Sequence, residues 1–253
     1  MDYFDQNVNA GVTTGAKGSL LVVSHMRSHS SLLAHILGSN PAIAGYSELH
    51  MSYLGRIDLR RMQRKVEDIA GSSAAGRITL DKLLHDQFEI AQSVLERDDV
   101  RVVYLLRPPD ETIASLLRLG KSTPAIPWYS DPGSVAAYYC TRLATLEHYC
   151  RFGTGRAAFV ASERLMADTL GVLSALTGWL GLSEPLTANY RTFRFTGVAG
   201  HGDPSDTIRA GTVVTPQQPP APPPMAIPED AARACRAAWD RCRATLARHC
   251  AVM

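Results

Sequence analysis

Long apolar runs are missing from this chain. No stretch approaches the ~20 consecutive apolar residues that a membrane span needs, and the start, MDYFDQNVNAG, is polar and acidic where a secretory or transit segment would be basic and then apolar. A soluble, cytoplasmic protein with no membrane partner is expected. An excess of one charge is also missing: Lys plus Arg number 26 against 24 acids, a net +2, so no nucleic-acid partner is expected and any anion site must be local. The five cysteines (Cys140, Cys150, Cys235, Cys242 and Cys250) are odd in number and lack CxxC spacing, which favours reduced, packed thiols over a disulfide framework and predicts no metal site. A Walker phosphate loop is lacking too. Residues 11 to 19, GVTTGAKGS, do not have the GxxxxGK[ST] spacing and follow no strand, so Lys17 is expected to be merely solvated in a flexible leader, residues 1 to 18.

What the chain does have is a core and a polar turn. With 253 residues and 45% hydrophobic content it can bury a substantial interior. Leu20, Leu21, Val22 and Val23 form an unbroken apolar run, the pattern of a strand buried on both faces of a parallel sheet. Ser24, His25, Arg27, Ser28, His29, Ser30 and Ser31 then crowd hydroxyls, a guanidinium and backbone N–H groups where strand turns into helix, which is where an anion binds. Ser28, Ser30 or Ser31 is expected to cap that helix, whose apolar side is Leu32, Leu33, Ile36 and Leu37.

The pattern repeats along the chain. A short strand is expected at 42–46, a basic helix within 52–74, a strand at 76–82 and a helix from about Leu84 to Arg97. Val100 to Leu106 is the clearest buried strand. Arg107 ends it, Pro108 and Pro109 break it, and Asp110 is expected to cap a helix to Leu119. A helix at 134–151, a strand at 157–161 and a helix at 169–180 follow. Strands alternating with helices predict an α/β fold: a single parallel-sheet domain flanked by helices, with its ligand at the carboxyl ends of the strands, near Arg27, Glu48, Lys82 and Arg107. Residues 216 to 228 read as a Pro-rich connector, and 229 to 253 as a C-terminal helix covering the domain.

Four stretches in order carry a family resemblance: Arg27 to Leu33 (RSHSSLL), Leu106 to Ser115 (LRPPDETIAS), Ala161 to Leu165 (ASERL), and the loop with Gly202, Asp203, Ser205, Ile208 and Gly211. Together they resemble the PAPS-dependent sulfotransferases, whose fold is P-loop-like, over about residues 19 to 215. The resemblance implies 3′-phosphoadenosine 5′-phosphosulfate (PAPS) as donor and PAP as product. It places Arg27, Ser28, His29, Ser30 and Ser31 around the phosphosulfate, and Arg107 with Ser115 on the 3′-phosphate. The loop of Gly202, Asp203 and Ser205 stands where many members carry an RKG signature. His29 stands where the family's loop usually has glycine, and a non-glycine residue there resists positive φ.

Transfer would run in line onto a hydroxyl or amine of a small-molecule acceptor, with Arg27 and Lys82 stabilising charge. The base is Glu48, His85 or His50; Glu48 matches the glutamate of the tyrosylprotein sulfotransferases, which this stretch also resembles, and burial would raise its pKa. His50, Tyr53, Trp128 and Tyr129, with Tyr190 and Phe193, are expected to line the acceptor pocket. Two other classes remain: a nucleotide or nucleoside kinase, with Asp81 as its one Mg²⁺ candidate, and a catalytically silent nucleotide-binding module.

Overall fold

The computed structural model describes residues 17–71, 73–198, 203, 205–214 and 225–253, so the expected leader up to residue 16, Gly202 and connector residues 216–224 lie outside the described residues. The first strand, β1 (Gly18–Ser24), runs into helix α1 (Ser30–Ser39), then β2 (Ile43–Ala44), α2 (Arg56–Ala70) and β3 (Ile78–Leu83). After the short α3 (Gln92–Leu95) come β4 (Val100–Leu106), α4 (Pro109–Ser122), α5 (Pro132–Tyr149), β5 (Ala157–Ala161), α6 (Ser162–Ala167) and α7 (Thr169–Leu180). Helix α8 (Glu229–His249) and β6 (Ala251–Val252) close the described chain.

The six strands form one sheet in the order β2-β3-β1-β4-β5-β6, and every pair is parallel. Leu20 through Val23 of β1 are each 0% exposed, which explains the unbroken apolar run. Alternate residues face opposite ways: Leu21 and Val23 join a core under α2, α4, α5 and α8, whereas Leu20 and Val22 join a core under α1 and α7. Burying each such side chain contributes about 1.5–3 kcal/mol.

Several expectations need correction. Only Gln92–Leu95 of the helix expected from Leu84 to Arg97 forms, because residues 89 to 91 give their backbone groups to Tyr53: the Tyr53 amide donates to the Glu89 carbonyl, and the Ala91 amide to the Tyr53 carbonyl. The same pairing delays α2 to Arg56, where Asp58 accepts from the Gly55 amide. Asp110 does not cap α4; the helix starts on Pro109, a favourable first position, and Asp110 pairs instead with Arg236 of α8. Strand β6, too short to leave a periodic signal, pairs with β5 at the sheet edge.

One buried charge ties the carboxyl edge together. Arg142 of α5 is 0% exposed; its guanidinium donates to the Ser24 carbonyl at the end of β1, to the Leu83 carbonyl at the end of β3, and to Asp86 at 2.7 Å. Breaking such a pair leaves buried groups without partners. Arg142→Met is expected to lower stability by about 3–5 kcal/mol in urea unfolding, and Asp86→Asn by clearly less because Asp86 keeps contact with water; equal losses would disprove the clamp.

Candidate functional site

The turn from β1 into α1 is held in conformations that side chains resist. Arg27 has φ 60° and His29 φ 69°, and His50 on the neighbouring loop has φ 50°. Non-glycine residues in this region carry strain that the surroundings must offset. For His29 the offset is visible: its Nδ1 lies 2.7 Å from the Ser162 hydroxyl at the start of α6. The ring therefore anchors the turn to the end of β5. No side chain caps α1; His29 is the cap residue, and the expected capping by Ser28, Ser30 or Ser31 is corrected, since Ser28 accepts from Ser24, and Ser31 from Lys82 and the Asp203 amide. Among the described residues the helix start has no side-chain cap and no acid in its first turn, a favourable place for an anion.

Lys82 joins this turn to the acidic loop. Its ammonium lies 3.0 Å from the Ser31 hydroxyl and 3.0 Å from Glu48 Oε1, with the lysine side chain 1% exposed. Burial pushes the Glu48 pKa up, but the charge and hydrogen bond of Lys82, with help from His50 and His85, outweigh it and hold the carboxyl below its usual range. The expected rise is thus corrected: Glu48 is ionised and near a cation. His50 Nδ1 sits 3.8 Å from Glu48 on the exposed side. His85 is half-buried beside Tyr138, its pKa lowered by burial.

The other two cations also have carboxylate partners. Arg27 donates to the Ser115 hydroxyl at 3.0 Å and pairs with Asp203 at 3.1 Å. Arg107 donates to Glu111 at 2.7 Å and to the Arg27 carbonyl at 3.0 Å. The structure therefore brings Arg27, Arg107, Ser115 and Asp203 together, but Ser115 bonds to Arg27 rather than to Arg107. Asp203 is buttressed by the Ser205 amide, so Ser205 acts through Asp203. An anion entering here competes with Asp203 for Arg27 and with Glu111 for Arg107.

Aromatic residues border the Glu48 side. Trp128 packs edge-on against Tyr129 at 4.5 Å and at a tilt against Tyr138 at 5.3 Å. Tyr129 is within electrostatic reach of Glu48, and burial raises its pKa. Tyr53 is a correction: it is 0% exposed and its hydroxyl donates to Asp81 at 2.6 Å, so it is a core support rather than a pocket wall. Tyr190 and Phe193 pack around His35 of α1. Tyr190 lines a separate cavity of about 360 Å³ with Ser39, Asn40 and Glu184, at the far end of α1 from the turn.

Sequence reasoning passed over Arg142 and Tyr138, and it placed His25 in the turn without the partners that fix it. The Tyr138 hydroxyl accepts from the Met26 amide and donates to the Leu84 carbonyl, bridging two site loops. His25 is fixed as one tautomer, donating from Nδ1 to the Met26 carbonyl and accepting the Arg107 amide at Nε2. The only available signal was the i, i+4 spacing of Tyr138 and Arg142 on one helix face.

Two outcomes are expected. His29→Ala loses the anchor and keeps the strained backbone, whereas His29→Gly loses the anchor and removes the strain; glycine should be more stable than alanine by about 1 kcal/mol in urea, and the reverse order would refute the account of the turn. The second concerns pH. His25 and His35 are lowered to about 4 and His29 to about 3, chiefly by burial. These rings stay neutral in the fold while the unfolded chain takes up protons below about 6.5. Stability is therefore lost as pH falls from there toward the folded values, by up to about 1.4 kcal/mol per pH unit per ring. Asp81, raised to about 6 by burial, binds its proton earlier in the fold and offsets about one ring between pH 6 and 4. Urea midpoints should fall steadily from pH 7 to 4.5; a flat profile would contradict the neutral rings.

No family model and no curated protein matches the chain. Solved structures do. The sulfotransferase domain of the Synechococcus PCC 7002 olefin synthase is 19% identical, with 92% of this chain and 98% of that one covered at a TM-score of 0.57. A sulfotransferase domain from the Curacin biosynthetic pathway is 18% identical, with 87% and 96% covered and a TM-score of 0.57. The six-stranded parallel sheet, its flanking helices and this likeness over nearly the whole chain show that the protein has the sulfotransferase fold.

Proposed function

We propose that the chain is a sulfotransferase moving a sulfuryl group from PAPS to a hydroxyl, or an amine, of a small-molecule acceptor in the cytoplasm. The observation that carries this reading is the buried Lys82 ammonium, which touches both the anion turn at Ser31 and the acidic residue Glu48, each at 3.0 Å. Donor and acceptor machinery thus meet at one cation. PAPS would supply an activated sulfuryl group on a phosphate leaving group.

The residues fit such a donor: Arg27, Lys82 and Arg107 surround the uncapped start of α1. Arg27, Ser30, Ser31 and the turn amides would hold the phosphosulfate end, and Arg107 with Ser115 the 3′-phosphate, once Glu111 yields. Lys82 stabilises negative charge developing next to Ser31. Glu48, already ionised, takes the acceptor proton; its lowered pKa makes it a weak base, which suits a proton that leaves late in the transfer. Trp128, Tyr129, Tyr138 and His50 border the acceptor side. The two structural relatives are domains from biosynthetic systems, which favours a metabolite acceptor.

A magnesium-dependent kinase is disfavoured by geometry. Both oxygens of Asp81, the candidate ligand, already accept hydrogen bonds, from the Leu49 and Lys82 amides and the Tyr53 hydroxyl.

Labelled PAPS offered with a panel of hydroxylated metabolites tests the activity. Glu48→Gln should bind PAP within about 3-fold of the parent by calorimetry while losing at least ~100-fold in transfer. Arg107→Ala should weaken PAP by about 10- to 100-fold, as expected for a charged hydrogen-bond donor. Full activity in Glu48→Gln would move the base to His85, and a parent protein that neither binds PAP nor turns over PAPS would end the proposal.

A further inference from the structure

Helices α5 and α8 lie side by side, and two cysteines meet across them. Cys140 of α5 and Cys235 of α8 have their sulfurs 3.6 Å apart. All five cysteines are free, and this pair joins the buried Cys235 to the partly exposed Cys140. Burial as small apolar side chains explains why cysteines are tolerated in this core. It does not explain why two of them stand sulfur to sulfur across this contact.

We propose that Cys140–Cys235 is a disulfide-forming site, oxidised by a low-molecular-weight disulfide, that fastens the C-terminal helix to the body of the domain. The Cys140 thiolate attacks the sulfur–sulfur bond of the small disulfide, forming a mixed disulfide and releasing one small thiol. Cys235 then gives its proton to solvent and its sulfur attacks the Cys140 sulfur, displacing the second small thiol. Two protein thiols are oxidised and one small disulfide is reduced to two thiols. The sulfurs must close from 3.6 Å to about 2.05 Å, a movement within reach of side-chain rotation.

Cys140 is suited to start the sequence. A hydrogen bond from Cys235 lowers its pKa to about 7 against the opposing effect of burial, and Arg241 adds to the lowering, so a large fraction is thiolate near neutral pH. Cys242 lies fully buried in the same core with its pKa raised by burial, and it stays reduced.

The full chain is incubated with oxidised glutathione or with dithiothreitol, denatured, alkylated and mapped by mass spectrometry. The reduced chain shows five thiols; the link removes two, with a Cys140–Cys235 peptide appearing and Cys242 alkylated throughout. The loop closed is long, so the melting temperature should rise by about 5 °C or more and return on reduction. Cys140→Ser should abolish both the link and the rise. Five titratable thiols after oxidation, stable glutathione adducts without the Cys140–Cys235 link, or links through Cys242 would overturn the proposal.

Discussion

A guanidinium in the interior sets the geometry of the working edge. Arg142 has no exposed surface, yet it holds the last carbonyls of β1 and β3 and the Asp86 carboxylate. Those strand ends are where the anion turn and Lys82 begin. A charge in such a place is costly unless every donor is used, and this one spends its donors on backbone oxygens that could otherwise face water. Tyr138, one helical turn earlier, bonds Met26 and Leu84 and extends the same brace to the loops beyond. Helix α5 therefore acts as the frame from which the site is hung.

Around that frame, positive charge is stored in balanced form. Lys82 faces Glu48, Arg27 faces Asp203, and Arg107 faces Glu111. The three pairs differ in exposure, and with it in how firmly they hold. Lys82 and Glu48 are nearly dry, so their attraction is little screened; Glu111 is the wettest of the carboxylates and the easiest for an incoming phosphate to displace. Asp203 belongs to a loop far along the chain, so it links the anion turn to residues beyond the last helix of the α/β repeat.

Much of this was legible from residue order, and the reasons it was or was not are physical. Strands β1 and β4 announce themselves because a strand covered on both faces has no polar alternation, and the first polar residues after them, Ser24 and Arg107, mark the edge where a ligand sits. Helix α7 ends where expected, at Gly181, which takes the left-handed conformation. The segment after β3 misled because its apolar spacing suits a helix, while its backbone is claimed by a strand pairing with Tyr53 that no local pattern reveals. At the site, Arg27, Lys82 and Arg107 could be placed from strand ends alone. Their partners could not: Ser162 under His29 and Asp203 on Arg27 are contacts made only when distant segments fold together. Arg142 was hidden by its own identity, since arginine at helical spacing ordinarily signals a wet face.

The position of β1 carries a consequence for how the chain comes together. It is the first strand described and is fully buried from Leu20 to Val23, yet it lies inside the sheet, between β3 and β4, which begin at Ile78 and Val100. As the polypeptide emerges from synthesis, both hydrogen-bonding edges of this sticky segment wait for partners that have yet to be made. Joining them means closing long loops before any ladder can form, a slow, high-contact-order route. Until then the strained backbone at Arg27 and His29 has nothing to hold it, so the anion turn takes shape among the last features of the fold, and the nascent chain is most open to misassociation while its future binding loop is still slack.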